Sequence, residues 1–161
     1  MGTVEKKIEE LGITLPEMRP PVANYVPAVR TGNLLFLSGS IPAKRPDGTE
    51  VRGKLGDDLS VEEGYEAARL AGINLLAVLK ATLGDLDKVK RIVKLLSMIN
   101  AAPDFTETPA VANGCSDLMV EVFGDKGKHA RSAVGMASLP LNVPVEVEMV
   151  AEVEDFLRNQ P

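Results

Sequence analysis

The feature that most constrains the fold of this chain is a strict alternation of apolar and acidic side chains near its C-terminal end. Apolar residues occupy every second position, at Val143, Val145, Val147 and Met149. Glu146 and Glu148 stand between them. Successive side chains of a β-strand point to opposite faces, so this pattern predicts a strand that buries one face and leaves the other polar. Such a strand belongs in a sheet that helices cover on one face.

A long helix is predicted after residue 60. Ser60 and Glu63 have the spacing of a capping box, in which each satisfies a backbone N–H of the first helical turn. Small and apolar residues then recur at helical spacing: Val61, Tyr65, Ala68, Gly72, Leu75, Leu76 and Leu79. Gly84 is well placed to end the helix, because glycine adopts the left-handed conformation without a steric penalty.

A second helix is predicted to start at Thr108 as N-cap and Pro109 as first helical residue, and to stop at Gly124. A short amphipathic helix is predicted over residues 3–11. The proline-rich segment 15–21 that follows has the composition of an extended linker.

The remaining apolar segments predict strands. Residues 24–30 and 33–38 have the pattern of a β-hairpin, and 131–137 is a strand of small residues. Residues 89–99 suit a central strand, although their near-continuous apolarity also fits a buried helix. The polar segment 42–58 is predicted to be a long loop. The order is therefore ββ, helix, β, helix, ββ, which indicates an α+β fold with a mixed sheet.

Composition excludes several classes of function. The net charge of −5 argues against a protein that binds nucleic acid mainly through phosphates. One cysteine and one histidine are too few for a disulfide within the chain or for a Cys- or His-rich metal site, so no metal is predicted. The N-terminal segment lacks the apolar core of a signal peptide, and no run is long enough to span a bilayer. A cytoplasmic location is the expectation.

Three positions could contribute to chemistry. Arg131 enters a strand of small residues, where its planar fork of donors could hold a carboxylate in two hydrogen bonds. Glu146 could position or activate water in a partly dry cleft. Ser38 and Gly39 follow an apolar strand and could offer a hydroxyl or a backbone N–H to a ligand. The alternatives are an exposed arginine paired with a surface carboxylate, a solvated glutamate and an ordinary end of a strand.

Cys115 and His129 could in principle form a catalytic dyad. Cys115 falls inside the second predicted helix, where a buried structural thiol is the favoured interpretation. His129 lies in a polar loop beside a lysine, and a solvated side chain is favoured there. The common nucleotide-binding, zinc-protease and serine-hydrolase motifs are absent.

Two segments together resemble the signature regions of the RidA/YjgF family. They are LLFLSGSIP from residue 34 and ARSAVGMASLPLNVPVEVE at residues 130–148. The second combines Arg-Ser, a strand of small residues, Leu-Pro and an alternating strand with paired glutamates. The chain is thus expected to be a single RidA-like domain over residues 1–161. Residues 21–154 would be the family core, and residues 1–20 an N-terminal helix and linker added to it.

The resemblance implies a chorismate-mutase-like α+β fold with two helices on one face of a mixed sheet. It also implies a homotrimer with a central barrel and clefts between subunits. The implied activity is hydrolytic deamination of reactive enamine or imine acids, such as 2-aminoacrylate, to 2-keto acids and ammonia. No metal or organic cofactor is implied, and the implied ligand is a small imine or keto acid that carries a carboxylate.

The resemblance also implies roles for individual residues. Arg131 is similar in position to the arginine that holds the substrate carboxylate, and Glu146 to the acidic residue that orients water. Asn113 is similar to an asparagine of the cleft, with one residue of spacing different between it and Arg131.

Four further positions of the cleft follow from the same resemblance. Tyr25 is similar to a tyrosine that lines the cleft, and Ser38 and Gly39 to the serine-glycine pair at its wall. Ala133 stands where many deaminating members have cysteine, at a position whose backbone faces the ligand. Alanine keeps that backbone, so the substitution is compatible with the implied activity.

Two other functions stay open. A non-catalytic protein that binds or senses small carboxylic acids would use the same cleft, and would need Arg131 but not Glu146. A ribonuclease or translation inhibitor is less favoured, because the chain is acidic, has few aromatic residues and has only one histidine.

Overall fold

The computed structural model describes residues 1–18 and 23–155. The chain forms three helices, α1 (Thr3–Glu10), α2 (Val61–Leu83) and α3 (Thr108–Phe123), within this described part. Five strands accompany them: β1 (Ala28–Thr31), β2 (Leu34–Ser40), β3 (Val89–Asn100), β4 (Ala130–Met136) and β5 (Val145–Val153). The predicted linker at 15–21 falls partly outside the described residues. Within them, no helix combines the length and the apolarity that crossing a membrane would require.

The strands form one mixed sheet in the order β1-β2-β5-β3-β4. Strand β4 pairs with β3 in parallel, and the other neighbours are antiparallel. The alternating strand β5 lies at the centre of this sheet. Its side chains at Val145, Val147, Met149, Ala151 and Val153 are buried under the helices, as the alternation predicted. The predicted α+β fold, with helices on one face of a mixed sheet, is therefore confirmed.

Both long helices end as their sequences predict. Ser60 and Glu63 form the complete capping box at the start of α2, and Gly84 ends that helix in the left-handed conformation. Helix α3 ends at Gly124. The two helices pack closely: a Cβ at Gly114 of α3 would overlap the backbone carbonyl oxygen of Tyr65 and lie 2.8 Å from its carbonyl carbon. Glycine is therefore required where the helices cross.

Two local predictions were wrong in detail. Thr108 is the first residue of α3, and the N-cap is Glu107, whose side chain makes no capping hydrogen bond. The Thr108 hydroxyl instead donates to the carbonyl of Ala133 on β4 (3.2 Å) and ties the helix to the sheet. Val143 is buried but precedes β5, because a short 3-10 turn over Pro140–Asn142 and Pro144 interrupt the extended backbone.

The other segments agree with the predictions in kind. The first hairpin strand is shorter than predicted and starts at Ala28, after Pro27, which has no N–H to give to a ladder. Residues 42–58 contain no helix or strand. Val51 and Leu55 of this loop are nevertheless buried, so the loop packs on the core. Residues 89–99 lie in β3, and the helical alternative for them was wrong.

Candidate functional site

The register of the sheet decides the direction in which Arg131 points. Arg131 on β4 is aligned with Leu95 on β3, which is aligned with Met149 on β5. Aligned residues on neighbouring strands point to the same face of a sheet. Leu95 and Met149 are buried under the helices, so Arg131 also points to the helix-covered face, at the edge of the sheet.

Arg131 is held at that edge by two neutral side chains of α3. Its Nη1 donates to Asn113 Oδ1 at 2.8 Å and to Ser116 Oγ at 3.1 Å. Among the described residues, Nε and Nη2 of the guanidinium make no hydrogen bond, and no carboxylate pairs with it. A half-buried arginine whose outer edge keeps its donors is suited to bind a carboxylate from solution in two parallel hydrogen bonds.

Two further residues lie beside Arg131: Ser116, which sequence reasoning did not single out, and His129, which it considered only as a partner of Cys115. Ser116 Oγ lies 2.9 Å from Nε2 of His129, and Nδ1 of His129 lies 2.6 Å from the carbonyl oxygen of Gly127. The expectation of a solvated His129 was therefore wrong, since the ring is half-buried and both nitrogens have partners. The spacing contained a signal: Ser116 follows Asn113 by one helical turn, and His129 precedes Arg131 by two residues.

Ala133 lies two residues after Arg131 and therefore on the same face of β4. It is half-buried, and its carbonyl accepts the hydrogen bond from Thr108 described above. Arg131, Asn113 and Ala133 are thus brought together by β4 and α3. We call these residues, with Ser116 and His129, the arginine cluster.

The other predicted residues gather at strand β2, which β5 and β3 separate from β4. Tyr25, Ser38 and Gly39 line a small cavity of about 110 Å³, together with Met18, Pro27, Ser40 and Val78. The Ser38 hydroxyl donates to the carbonyl of Val26 (2.7 Å), so this serine is fixed against the segment that carries Tyr25. The pairing of β2 with β5 shifts register between Leu37 and Ser40, so Ser38 and Gly39 lie at an irregularity of the strand.

Glu146 lies directly against Gly39. A Cβ at Gly39 would overlap Glu146 Oε1 and lie 3.0 Å from Cδ and 3.1 Å from Cγ. Burial, and then the negative charge of Glu148, raise the pKa of the Glu146 carboxyl. Tyr25, Ser38, Gly39 and Glu146 therefore form a second group, which we call the glutamate cluster.

One chain does not join the two clusters. Glu146 is aligned with Met98 of β3 and Val134 of β4, whereas Arg131 is aligned with Leu95. Val134 is three residues from Arg131 along β4, and side chains an odd number of residues apart on a strand point to opposite faces. The side chains of Arg131 and Glu146 therefore lie on opposite faces of the sheet. The structure brings Arg131 together with Asn113 and Ala133, and Glu146 with Gly39. It does not bring Arg131 to Glu146 within one chain.

Cys115 lies in α3 beside the arginine cluster but has no catalytic geometry. Its side chain is fully buried, and burial raises the pKa of the thiol to about 12. A thiolate is the reactive form of cysteine, so this residue is inert in the folded protein. The interpretation of Cys115 as a buried structural thiol is confirmed.

Among the described residues, one group of carboxylates has a spacing that could hold a cation. Oxygen atoms of Glu5, Asp85 and Asp87 lie within 4.8 Å of one another. Their main partners are protein groups, however. Asp87 accepts hydrogen bonds from the first two backbone N–H groups of α1, and Glu5 accepts from Lys80 at 2.7 Å and from the backbone N–H of Leu86 at 3.0 Å. The group attaches α1 to the rest of the domain.

Comparison with known proteins identifies relatives along nearly the whole chain. A family model described as "YjgF/chorismate_mutase-like, putative endoribonuclease" matches residues 5–153. Protein TCP17 of Trypanosoma cruzi is 45% identical over 155 residues, which cover 96% of each chain. A 2-iminobutanoate/2-iminopropanoate deaminase of Dermatophagoides farinae is 32% identical over 142 residues, covering 88% of this chain and 95% of the relative. The crystal structure of protein Atu1372 from Agrobacterium tumefaciens, of unknown function, has a TM-score of 0.85 at 44% identity and covers 94% of both chains.

Proposed function

Because this chain belongs to the YjgF/chorismate mutase-like (RidA) family, we propose that it is a homotrimeric hydrolase that deaminates reactive enamine and imine acids. The products would be a 2-keto acid and ammonia, and no cofactor would take part. The observation that supports the proposal most strongly is Arg131, whose guanidinium is anchored by neutral side chains on one edge and keeps its donors on the other.

The substrate would bind through its carboxylate. Asn113 and Ser116 occupy Nη1 of Arg131, so Nε and Nη2 would meet the two oxygens of the ligand. A charge-assisted hydrogen bond of this kind contributes about 1.5–3 kcal/mol and also fixes the orientation of the substrate. The imine carbon, which is bonded to the carboxylate carbon, would then lie at a defined distance from the guanidinium.

The glutamate cluster would supply the water. The oxygen of water adds to the imine carbon, a proton moves to the nitrogen, and the C–N bond then breaks to release ammonia and leave the keto group. Glu146 would carry one proton from the attacking water to the imine nitrogen in the first step, which gives a carbinolamine. In the second step it would carry the proton of the carbinolamine hydroxyl to the departing nitrogen. Its raised pKa brings the carboxyl nearer to neutral pH, where one group performs both transfers efficiently.

A second subunit would complete the site. Arg131 and Glu146 point to opposite faces of the sheet in one chain, so the arginine cluster of one subunit must meet the glutamate cluster of its neighbour if both act on one substrate. Exposed apolar side chains support such an assembly. Val29, Phe36, Val134 and Met136 are 37–55% exposed, which is the kind of surface that subunit contacts cover.

The activity is tested by generating imino acids in solution with an amino-acid oxidase and following their hydrolysis. We expect the protein to accelerate the decay, and Arg131→Ala to abolish the acceleration. Arg69→Ala is the matched control, since Arg69 pairs with Glu121 on the outer helical surface at 3.0 Å and lies in neither cluster. Wild-type rates in Arg131→Ala would reject the proposed function.

The shared site is tested by mixing two inactive variants. Arg131→Ala and Glu146→Gln subunits, co-expressed with different tags, should form hybrid trimers that regain activity. Each restored site takes its intact arginine from one variant and its intact glutamate from the other, so ~one quarter of the sites should be restored by random assortment. Hybrid trimers without activity would show that the two residues do not serve one site across an interface.

The same variants separate the two alternative functions. A protein that only binds small carboxylates would keep Arg131-dependent binding in Glu146→Gln and show no turnover. An RNA-cleaving activity is suggested by the family description. It would have to disappear in Arg131→Ala to be assigned to this site, because a contaminating nuclease is indifferent to that substitution.

A further inference from the structure

The arginine cluster contains a continuous line of hydrogen bonds that runs from the guanidinium to the backbone. Arg131 Nη1 contacts Ser116 Oγ at 3.1 Å, Ser116 Oγ contacts His129 Nε2 at 2.9 Å, and His129 Nδ1 contacts the carbonyl oxygen of Gly127 at 2.6 Å. None of these atoms would touch the substrate directly. The line nevertheless ends on the residue proposed to bind the carboxylate.

For a neutral His129 ring, the direction of every bond in this line follows from its last member. A carbonyl oxygen can only accept, so Nδ1 of His129 must carry a hydrogen. In the neutral ring Nε2 is then an acceptor, and the hydroxyl of Ser116 donates to it. The lone pairs of Ser116 Oγ are thereby turned toward Arg131 Nη1, which donates. Each bond of the line then joins one hydrogen to one acceptor, and a neutral ring adds no charge to that of the guanidinium.

The backbone anchor of the line is rigid for steric reasons. Gly127 closes a 3-10 turn, Gly124–Gly127, against α3. A Cβ at Gly127 would overlap the backbone carbonyl of Met119 and lie 2.9 Å from the Cα of Val120. The carbonyl that accepts the hydrogen bond from His129 is therefore held by direct backbone packing. Its fixed position orients His129, which orients Ser116 and through it Arg131.

We infer that His129, acting through Ser116, is a positioning residue that holds the Arg131 guanidinium with its free edge directed at the substrate carboxylate. This inference rests on the proposed function of Arg131. A neutral support suits that function, because an Asp or Glu in place of Ser116 would neutralise the positive charge of Arg131 that attracts the ligand carboxylate. Asn113 provides the second neutral contact at 2.8 Å, so two acceptors together hold the orientation of the guanidinium.

The tautomer of His129 provides a test that needs no ligand. The chain has one histidine, so its ring nitrogens give a single, assignable set of ¹⁵N NMR signals. We expect the neutral ring to carry its proton on Nδ1, the tautomer that a free histidine side chain populates less. A ring that is protonated on Nε2 instead would overturn the inference, because Ser116 could not then be oriented as described.

The functional test measures binding and turnover in four variants. Pyruvate is the binding probe, as a stable keto acid with the carboxylate of the expected product. Ser116→Ala and His129→Leu should each weaken pyruvate binding and raise KM for the imine by about three- to tenfold, with little change in kcat, as expected for one lost hydrogen bond in the support. The Ser116→Ala/His129→Leu double variant should resemble the single ones. His129→Gln should recover most of the affinity, since its amide oxygen can accept from Ser116.

The outcomes distinguish this inference from the proposed function. If Arg131→Ala binds pyruvate like the wild type, the proposed function itself fails. If Arg131→Ala loses binding while Ser116→Ala and His129→Leu keep it, only the positioning role fails. Additive losses in the double variant would show that His129 does not act through Ser116. Should His129→Leu not fold, Ser116→Ala and the NMR measurement on the wild type still decide the matter.

Discussion

Replacing Gly39 with alanine should displace the Glu146 carboxyl without removing it. The added Cβ would lie 3.0 Å from Cδ and 3.1 Å from Cγ of Glu146 and would overlap Oε1. Carbon atoms in contact are normally about 3.5–4.0 Å apart, so the carboxyl group must move by about 0.5–1 Å. For the role proposed for Glu146, a displacement of that size costs up to about 100-fold in rate, so we expect kcat/KM for imine hydrolysis to fall by about 10- to 100-fold.

The same substitution should leave the free energy of unfolding nearly unchanged. Forcing Glu146 away from its rotamer costs about 0.5–1.5 kcal/mol. Gly39 has no positive φ, so alanine fits the backbone there and stabilises by about 0.4–1 kcal/mol through the lower entropy of the unfolded chain. The two terms largely offset each other. A loss of activity at unchanged stability is therefore the signature of a displaced Glu146.

The assay is the oxidase-coupled imine hydrolysis, together with urea unfolding of each variant. Gly135→Ala is the matched control, because Gly135 is also a strand glycine without positive φ and a Cβ there would meet its nearest neighbour at 3.5 Å, an ordinary contact. Gly39→Ala should cause no further loss in a Glu146→Gln background. A further loss there, or full activity in the single variant, would refute the reasoning.

Three other predictions follow from the structure. Because the pKa of Glu146 is raised in the folded state by burial and by Glu148, ionisation of Glu146 opposes folding. The free energy of unfolding of the wild type should therefore fall relative to that of Glu146→Gln as the pH rises from the ordinary carboxyl range through the raised pKa. Below that range the two free energies should differ least, and unfolding measured as a function of pH checks this. Cys115, with a pKa of about 12, should resist a thiol-specific disulfide reagent at pH 8 until the protein is unfolded, and fast labelling of the folded protein would contradict its burial. Gly114→Ala should lower the free energy of unfolding by about 1–3 kcal/mol or more, because the backbone of Tyr65 cannot move aside as a side chain can; an unchanged urea midpoint would mean that the helices separate easily.

Local sequence patterns were sufficient to predict most elements of this fold, and only the structure decided between strand and helix for residues 89–99. The capping box at Ser60, the helix ends at Gly84 and Gly124 and the alternation in β5 are determined by neighbours within a few residues, so they can be read without knowledge of the tertiary structure. The predictions that failed, at Thr108 and Val143, concern single residues at the ends of elements. There, a contact with Ala133 or a proline outweighed the local preference.

The candidate site depended on pairings between residues that are far apart in the sequence. The alternation in β5 identifies the two faces of that strand, but only its register with β3 and β4 shows that Arg131 and Glu146 face opposite sides. The role of His129 could not be assigned from the sequence, because Ser116, which links it to Arg131, approaches it only when α3 packs beside β4.

The sequence by itself thus determined the helices, most of the strands and the family resemblance, because each depends on short-range spacing. The tertiary structure alone decided which site residues meet and which are separated by the sheet. The physical reason is that strand register is set by how the whole core packs: a shift of one residue along β4 would turn Arg131 away from α3 without changing any local pattern.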